Sequence, residues 1–383
     1  MKENVVFFGL STEGYYLASQ MVLKGVNVRI IDESSSSAIL LKPEIAKTYS
    51  NVISLREDEP LLAMEPSNIA ISKAKYLFFT PRIRKTGHDL KTEVNSKFRD
   101  AVEGLEKDSS VINCLATGFG GNNENISLLR HVTGFDIGPT KSKSEKSVSY
   151  FYFPIHDLNK TPESIGSLKK TDGKNLLSLL KMDKKEKKFV DISSAEYLHA
   201  INTIQRFSGL CSILEVCKFV KNDTKHTILF NDFKNIYLDD MVTGLYDLHM
   251  LGSSFESAQT LMYLINGSIR GISGYIKRLI DVIRITLKKN ELKASKTKIV
   301  LSWTLDTNEM RGDKIEMLNT IASKLRDYIG DVETSSGPTD LFHHDKTTIV
   351  VACSSSDYEG IKQSKKGEDV FVIKANPLCE IES

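Results

Sequence analysis

Residues 5–9 (VVFFG) are a short run of β-branched and aromatic residues that stops at the turn Gly9-Leu10-Ser11-Thr12-Glu13-Gly14. Apolar residues then recur at helical spacing over 15–24, and after Gly25 a second apolar run (VNVRIID) closes on Asp32. Such patterning predicts strand, glycine turn, helix, strand and terminal acid. Further strands are predicted over 75–80 (KYLFFT), closing at Pro81, over 110–115 (SVINCL), closing at the glycine-rich ATGFGGNNEN, and over 149–154. Helices are predicted over 94–107 and 125–133, so the first part of the chain is expected to form a parallel, doubly wound α/β sheet.

From 194 to 220 the pattern changes to one long helix broken only by Gly209, with further helices predicted over 238–251, 257–264 and 274–289. Buried-type strands return at 297–303, 347–353 and 369–373, with a helix predicted over 313–328. The expected organisation is an N-terminal Rossmann-type domain (1–190), a central helical dimerisation domain (191–293) and a smaller Rossmann-like α/β domain (294–383). A chain of 383 residues is long enough for several cores.

Charge adds little: 51 Lys and Arg stand against 49 Asp and Glu. No global field then recruits nucleic acid or an anionic membrane. The lysine-rich run at 181–188 and the charged stretch at 141–147 read as solvated surface. No run is long enough for a signal core or a membrane span. The five cysteines are scattered without zinc spacing, which suits a cytoplasmic protein with reduced thiols and no metal. The pair His343-His344 beside Asp345 has a metal reading and an exposed-loop reading, and the loop is preferred because no further ligand stands nearby in sequence.

The chemistry-bearing positions lie at predicted strand ends. Amides of Gly9, Ser11, Thr12, Glu13 and Gly14 at a helix N-terminus suit a pyrophosphate. Asp32, roughly twenty residues on, suits the adenosine ribose hydroxyls. Thr80, Pro81 and Thr117 close the other two strands. Asp32, seconded by Glu33, disfavours a 2′-phosphate, so the expected cofactor is NAD.

These strings, in this order, resemble the UDP-glucose/GDP-mannose dehydrogenase family. Gly9–Gly14 is similar to the family's glycine turn with Ser11 at the middle glycine, and Phe79-Thr80-Pro81 to the end of its Val-Pro-Thr-Pro strand. Ala116-Thr117 through Gly121-Asn122-Asn123-Glu124 is similar to its Ser-Thr…Gly-Thr-Thr-Glu segment. Val300–Trp303 with Thr307-Asn308-Glu309-Met310-Arg311 resembles the strand and Thr-Asp-Asp-Ile-Arg stretch that cradles the nucleotide sugar, and 349–357 the following strand and acidic turn. The resemblance implies an NAD-dependent oxidoreductase acting on a nucleotide sugar, and a homodimer built on the long helix through Leu198, Ile201, Phe207, Leu210, Ile213 and Leu214.

The family's catalytic strings are changed. Its Gly-Gly-x-Cys-x-Pro-Lys-Asp aligns with 242–247, placing Thr243 at the cysteine and Tyr246 at the lysine and keeping Asp247. Its central Ala-Glu-x-x-Lys appears as Ala195-Glu196-Tyr197-Leu198-His199, with Asn202 and Thr203 following, and its Ser-Pro-Glu becomes Phe153-Pro154-Ile155, near His156 and Asp157. Without the thiol that holds an aldehyde between two oxidations, a two-electron step is expected. Candidate catalytic residues are His199, Asp247 and Thr243; candidate substrate-binding residues are Arg311 and Asn202.

Each has a plainer alternative. His199 is a general acid or base, or a histidine packed on a long helix. Arg311 holds a diphosphate, or pairs with Glu309 or Asp313. Cys114 is a replacement nucleophile, or a buried strand end, and Cys211 and Cys217 read as core. The whole chain is then an enzyme, or a non-catalytic binder of NAD or nucleotide sugar that kept the fold. A hydroxy-acid or opine-type dehydrogenase shares only the dinucleotide unit, and the C-terminal nucleotide-like domain argues against it.

Overall fold

The computed structural model describes residues 4–58, 62, 64–85, 89–138, 147–155, 164–168, 173–180, 188–219, 233–254, 259–336, 346–363 and 370–382. Two compact units result: Met1–Asn202 with Met250–Glu256 and Asn308–Gly312, and Thr203–His249 with Ser257–Thr307 and Asp313–Ser383.

In the first unit β1 (Asn4–Phe8), α1 (Thr12–Leu23) and β2 (Asn27–Asp32) form the expected opening. β3 (Ser37–Leu41), α2 (Pro43–Thr48), α3 (Val52–Glu57), β4 (Met64–Pro66) and α4 (Ser67–Ser72) follow, none of them foreseen from the sequence. β5 (Tyr76–Phe79), α5 (Asp89–Val102), β6 (Ser110–Asn113) and α6 (Gly121–Thr133) complete the parallel core. The unit ends with β7 (Asp136–Ile137), β8 (Ser147–Tyr152), β9 (Ser164–Ser167), α7 (Gly173–Leu180), β10 (Lys188–Val190) and the start of α8 (Ile192–Val216).

The sheet order is β10-β9-β8-β6-β5-β1-β2-β3-β4, with β7 added on β8. β1 lies between β2 and β5, parallel to both, with Phe8 opposite Ile31 on one side and Phe79 on the other. The chain therefore reverses its winding direction across β1, which opens a crevice beyond the carboxyl ends of β1, β2 and β5. Buried on both faces, these strands carry continuous apolar runs. Phe7 stacks on Phe78 at 4.6 Å between ring centroids, which locks β1 to β5.

The second unit contains the rest of α8, α9 (Leu238–Val242), α10 (Leu245–Gly252, its last turn counted with the first unit) and α11 (Gln259–Lys289). Its sheet is β12-β11-β13-β14-β15, from β11 (Thr297–Ser302), β12 (Val332–Ser335), β13 (Thr347–Ala352), β14 (Val370–Lys374) and β15 (Ile381–Glu382), parallel except for the β14–β15 pair. Helices α12 (Asp313–Arg326) and α13 (Ser355–Gln363) connect the strands.

Three expectations are corrected. The helix expected over 238–251 is two helices, because Thr243 leaves the helical region and Gly244 takes φ +83°. The helices expected at 257–264 and 274–289 are one 31-residue helix. Glycine in its middle did not break it; a Cβ at Gly271 would lie 2.6 Å from the Cys211 sulfur, so this glycine permits α8 and α11 to pack closely. α8 ends at Val216, four residues short of the expected end. The lysine run at 181–187, the stretch at 141–146, His156, Asp157, His343 and His344 lie outside the described residues.

Candidate functional site

Ser11 adopts an extended backbone and caps α1, its hydroxyl accepting the Gly14 amide at 3.1 Å while donating to the Thr80 carbonyl at 2.8 Å. The residue that replaces the middle glycine of the resembling family thus ties the turn to the end of β5. Gly9 sits at φ +112°, and a Cβ there would stand 2.2 Å from the Thr80 carbonyl oxygen and 2.5 Å from the Pro81 Cα. At Gly14 a Cβ would meet the Thr80 hydroxyl at 2.5 Å. Gly9, Ser11, Gly14, Thr80 and Pro81 are therefore one packed constellation at the carboxyl ends of β1 and β5.

Asp32 closes β2 beside it. One carboxylate oxygen accepts from the Ser34 amide (2.9 Å), the Ser34 hydroxyl (2.5 Å) and Arg82 Nη2 (2.8 Å); the other accepts from Arg56 Nη2 (3.1 Å). Burial alone would raise this carboxyl, but the Ser34 hydrogen bonds and the Arg82 and Arg56 guanidinium groups outweigh it and hold Asp32 below the usual carboxylate range. Glu33 turns the other way: it accepts the Leu10 amide at 3.1 Å, the Arg82 amide at 2.9 Å and Arg82 Nε at 3.3 Å. A cavity of about 530 Å³ opens nearby, lined among others by Phe8, Ile31, Glu33, Ile71, Lys97 and Asp100.

The first turn of α1 also carries internal partners. The Thr12 amide donates to the Asn308 carbonyl at 2.9 Å, and Glu13 accepts the Met310 amide at 2.8 Å. Arg311 pairs its backbone with Ile83 and donates from Nη2 to the Ile155 carbonyl at 2.6 Å.

Thr117 is buried at the turn after β6, its hydroxyl without a hydrogen-bond partner among the described residues. A Cβ on Gly121 would stand 2.6 Å from the Thr117 Cβ, so this turn too is closely packed. Glu196, one helical turn before His199 on α8, reaches across to the start of α6 and accepts the Gly120 amide (3.0 Å), the Asn122 amide (3.0 Å) and Asn122 Nδ2 (2.8 Å). Asn122 in turn accepts from Tyr150 Oη at 2.6 Å and Asn113 Nδ2 at 3.1 Å. His199 is buried, whereas Asn202 is exposed.

In the second unit Thr243 ends α9, donating its hydroxyl to the Asp239 carbonyl at 2.7 Å, and Asp247 is buried on α10. All five cysteines are free thiols; burial pushes Cys114 and Cys353 far up, so neither is a ready nucleophile. Among the described residues no group of three or more His, Cys, Asp or Glu side chains could hold a metal, and no helix is long and apolar enough to cross a membrane.

Sequence reasoning did not find Arg56, Arg82, Glu196 or the part played by 308–310. Arg82, adjacent to Thr80-Pro81, was the nearest to a local signal. The contacts of the others span 24 to 297 residues, and no local spacing specifies them.

Two Rossmann-like sheets with long helices between them in sequence make a fold shared with solved nucleotide-sugar dehydrogenases. Among solved structures the chain is similar to the UDP-D-ManNAc dehydrogenase of Pyrococcus horikoshii, with TM-score 0.67 and 15% identity over 97% of this chain and 95% of that one. It is similar also to a UDP-glucose dehydrogenase of Pyrobaculum islandicum (TM-score 0.65, 14% identity, 97% and 94% covered) and to the UDP-N-acetyl-mannosamine dehydrogenase of Staphylococcus aureus (TM-score 0.58, 13% identity, 98% and 99% covered). No family model matches the sequence, and no curated protein matches it.

Proposed function

We propose that the protein is an NAD-dependent oxidoreductase acting on a nucleotide sugar, working in the cytoplasm as a homodimer. The observation that carries this reading is the Gly9–Ser11–Gly14–Thr80 constellation, with Asp32 at the end of the neighbouring strand, in a chain similar in fold to a nucleotide-sugar dehydrogenase over 97% of its length. At Gly9 a side chain would run into the main chain of Thr80 and Pro81, so glycine there lets the turn lie close against the strand end that would border the cofactor. Asp32 would receive the ribose hydroxyls, Thr80, Pro81 and Thr117 would border the nicotinamide end, and Arg311 and Asn202 would contact substrate. NAD, when bound, accepts hydride from a CH–OH carbon.

His199 takes the hydroxyl proton in this reading, being buried on α8 one turn after the carboxylate that anchors α6. Asp247 and Thr243 are kept as the second unit's candidates. With threonine at the cysteine position, oxidation stops at the carbonyl after two electrons. The test supplies NAD with a panel of UDP- and GDP-sugars and follows reduced nicotinamide; activity with one sugar, lost in His199→Ala, is expected. Of the residues expected on the dimer face, Phe207, Leu210 and Leu214 are buried within the chain itself; Leu198 and Ile201, exposed on α8 with Tyr197 beside Leu198, would supply that face, and a monomer by light scattering at micromolar concentration would remove that part.

A second reading, a non-catalytic binder of the same fold, is favoured by the carboxylate of Glu33 on the glycine turn and by the full engagement of Asp32. It predicts nucleotide-sugar or NADH binding with no turnover of any sugar, and binding unchanged in His199→Ala.

A further inference from the structure

We infer that Asn308–Gly312 is a strap that closes the dinucleotide crevice, and that a dinucleotide enters only after the strap lifts from α1. This rests on the reading of the crevice as a dinucleotide site. A pyrophosphate at a helix N-terminus is held by the amides of the turn and first helical turn. Here the Thr12 amide is taken by the Asn308 carbonyl, the Gly14 amide by Ser11, and the Leu10 amide by Glu33. Glu13, on the same turn, points its carboxylate at the Met310 amide. An incoming pyrophosphate therefore meets a carbonyl oxygen and two carboxylates where it needs donors.

The strap is fastened along its length. The Ile83 amide donates to the Met310 carbonyl at 2.7 Å, Arg84 Nη2 to the Glu309 carbonyl at 2.8 Å, and Arg311 to Ile155. Met310 is fully buried. Gly312 packs so tightly that a Cβ would lie 2.9 Å from the Ile83 carbonyl oxygen and 3.4 Å from the Arg84 Cα. Arg56 joins strap and cofactor carboxylate, its Nη1 on the Asn308 side-chain oxygen at 3.3 Å and its Nη2 on Asp32 at 3.1 Å. Ribose hydroxyls that claim Asp32 compete with Arg56 and so loosen the strap from the same end. Apparent affinity is reduced by the fraction of molecules whose strap is open, and anything that opens it raises affinity by the same factor.

The test uses the full-length protein and NADH. Asn308→Ala removes the Arg56 contact and Gly312→Ala forces the strap off Ile83; neither changes charge, so neither alters attraction for the pyrophosphate directly. Calorimetric titration is expected to show NADH binding about tenfold tighter in each variant than in the wild type. Hydrogen exchange of the unmutated protein is expected to show 308–312 losing protection on saturation with NADH, a readout independent of how the variants fold. Wild-type binding with 308–312 still protected, or variants that fold and bind no more tightly, overturns the strap. Absence of NADH and NADPH binding in wild type and both variants instead overturns the dinucleotide reading on which it stands.

Discussion

The Glu33 carboxylate accepts the backbone amide of Leu10 at 3.1 Å, placing an anion from the end of β2 on the turn that leads into α1. Arg82 balances it through its amide and Nε, with Lys97 at 3.8 Å. Replacing this carboxylate by a neutral amide removes repulsion where the proposed site would hold a pyrophosphate but also weakens charge-assisted hydrogen bonds. Glu33→Gln is expected to bind NADH several-fold more tightly while losing about 1–2 kcal/mol of stability in urea denaturation. A variant with weaker NADH binding would show that Glu33 supports the site instead of opposing it.

Asp32 gives a pH signature. Its carboxyl is held below the ordinary value of about 3.9 in the folded protein, so its contribution to stability is complete above that value and is lost as pH falls through the lower, folded one. Asp32→Asn leaves Arg56 and Arg82 without their shared counter-charge. The gap in urea midpoint between wild type and Asp32→Asn should be constant from neutral pH down to about 5 and shrink below about 4. A gap of equal size at pH 3 and pH 7 would detach Asp32 from the arginines.

Local chemistry explains why the turn was legible and its neighbours were not. Gly9, Ser11, Gly14 and Asp32 are specified by a strand, a helix and a strand that follow one another, so their spacing alone carries the geometry. The residues 37–72 hold short strands and six-residue helices at a sheet edge, where few positions are periodic enough to read. α11 passed unrecognised as one helix because glycines that usually interrupt helices serve close packing at Gly271. Asn308 and Met310 reach Thr12 and Glu13 from nearly 300 positions away, a relation fixed only by the tertiary fold.

The thiols should be chemically quiet. Cys114 and Cys353 are fully buried with their ionisation pushed up by desolvation, while Cys211 is part-exposed and donates to the Ser268 carbonyl. Iodoacetamide at pH 8 followed by mass spectrometry is expected to label Cys211 before any other, with Cys114 and Cys353 reacting only after unfolding. Rapid labelling of Cys114 in the native protein would restore it as a candidate nucleophile.

Glu196 is the anchor of α6. Removing it leaves two backbone amides and the Asn122 side-chain amide without their acceptor in a buried place. Glu196→Ala is expected to cost about 3 kcal/mol, and Glu196→Gln less, since its carbonyl keeps one acceptor. Urea denaturation that placed both variants within about 0.5 kcal/mol of wild type would mean that water replaces the carboxylate at no cost.

Gly9 and Gly25 separate two reasons for glycine in one βαβ unit. Both have positive φ, +112° and +85°, but a Cβ on Gly9 runs into Thr80 and Pro81, whereas one on Gly25 meets nothing within 4 Å. Gly25→Ala carries only the backbone penalty, about 1–2 kcal/mol. Gly9→Ala adds a clash with main-chain atoms of β5 that cannot rotate away, so it should cost more than about 4 kcal/mol or prevent soluble expression. If urea midpoints fell equally in the two variants, the contact between the glycine turn and the end of β5 would not be what shapes the crevice.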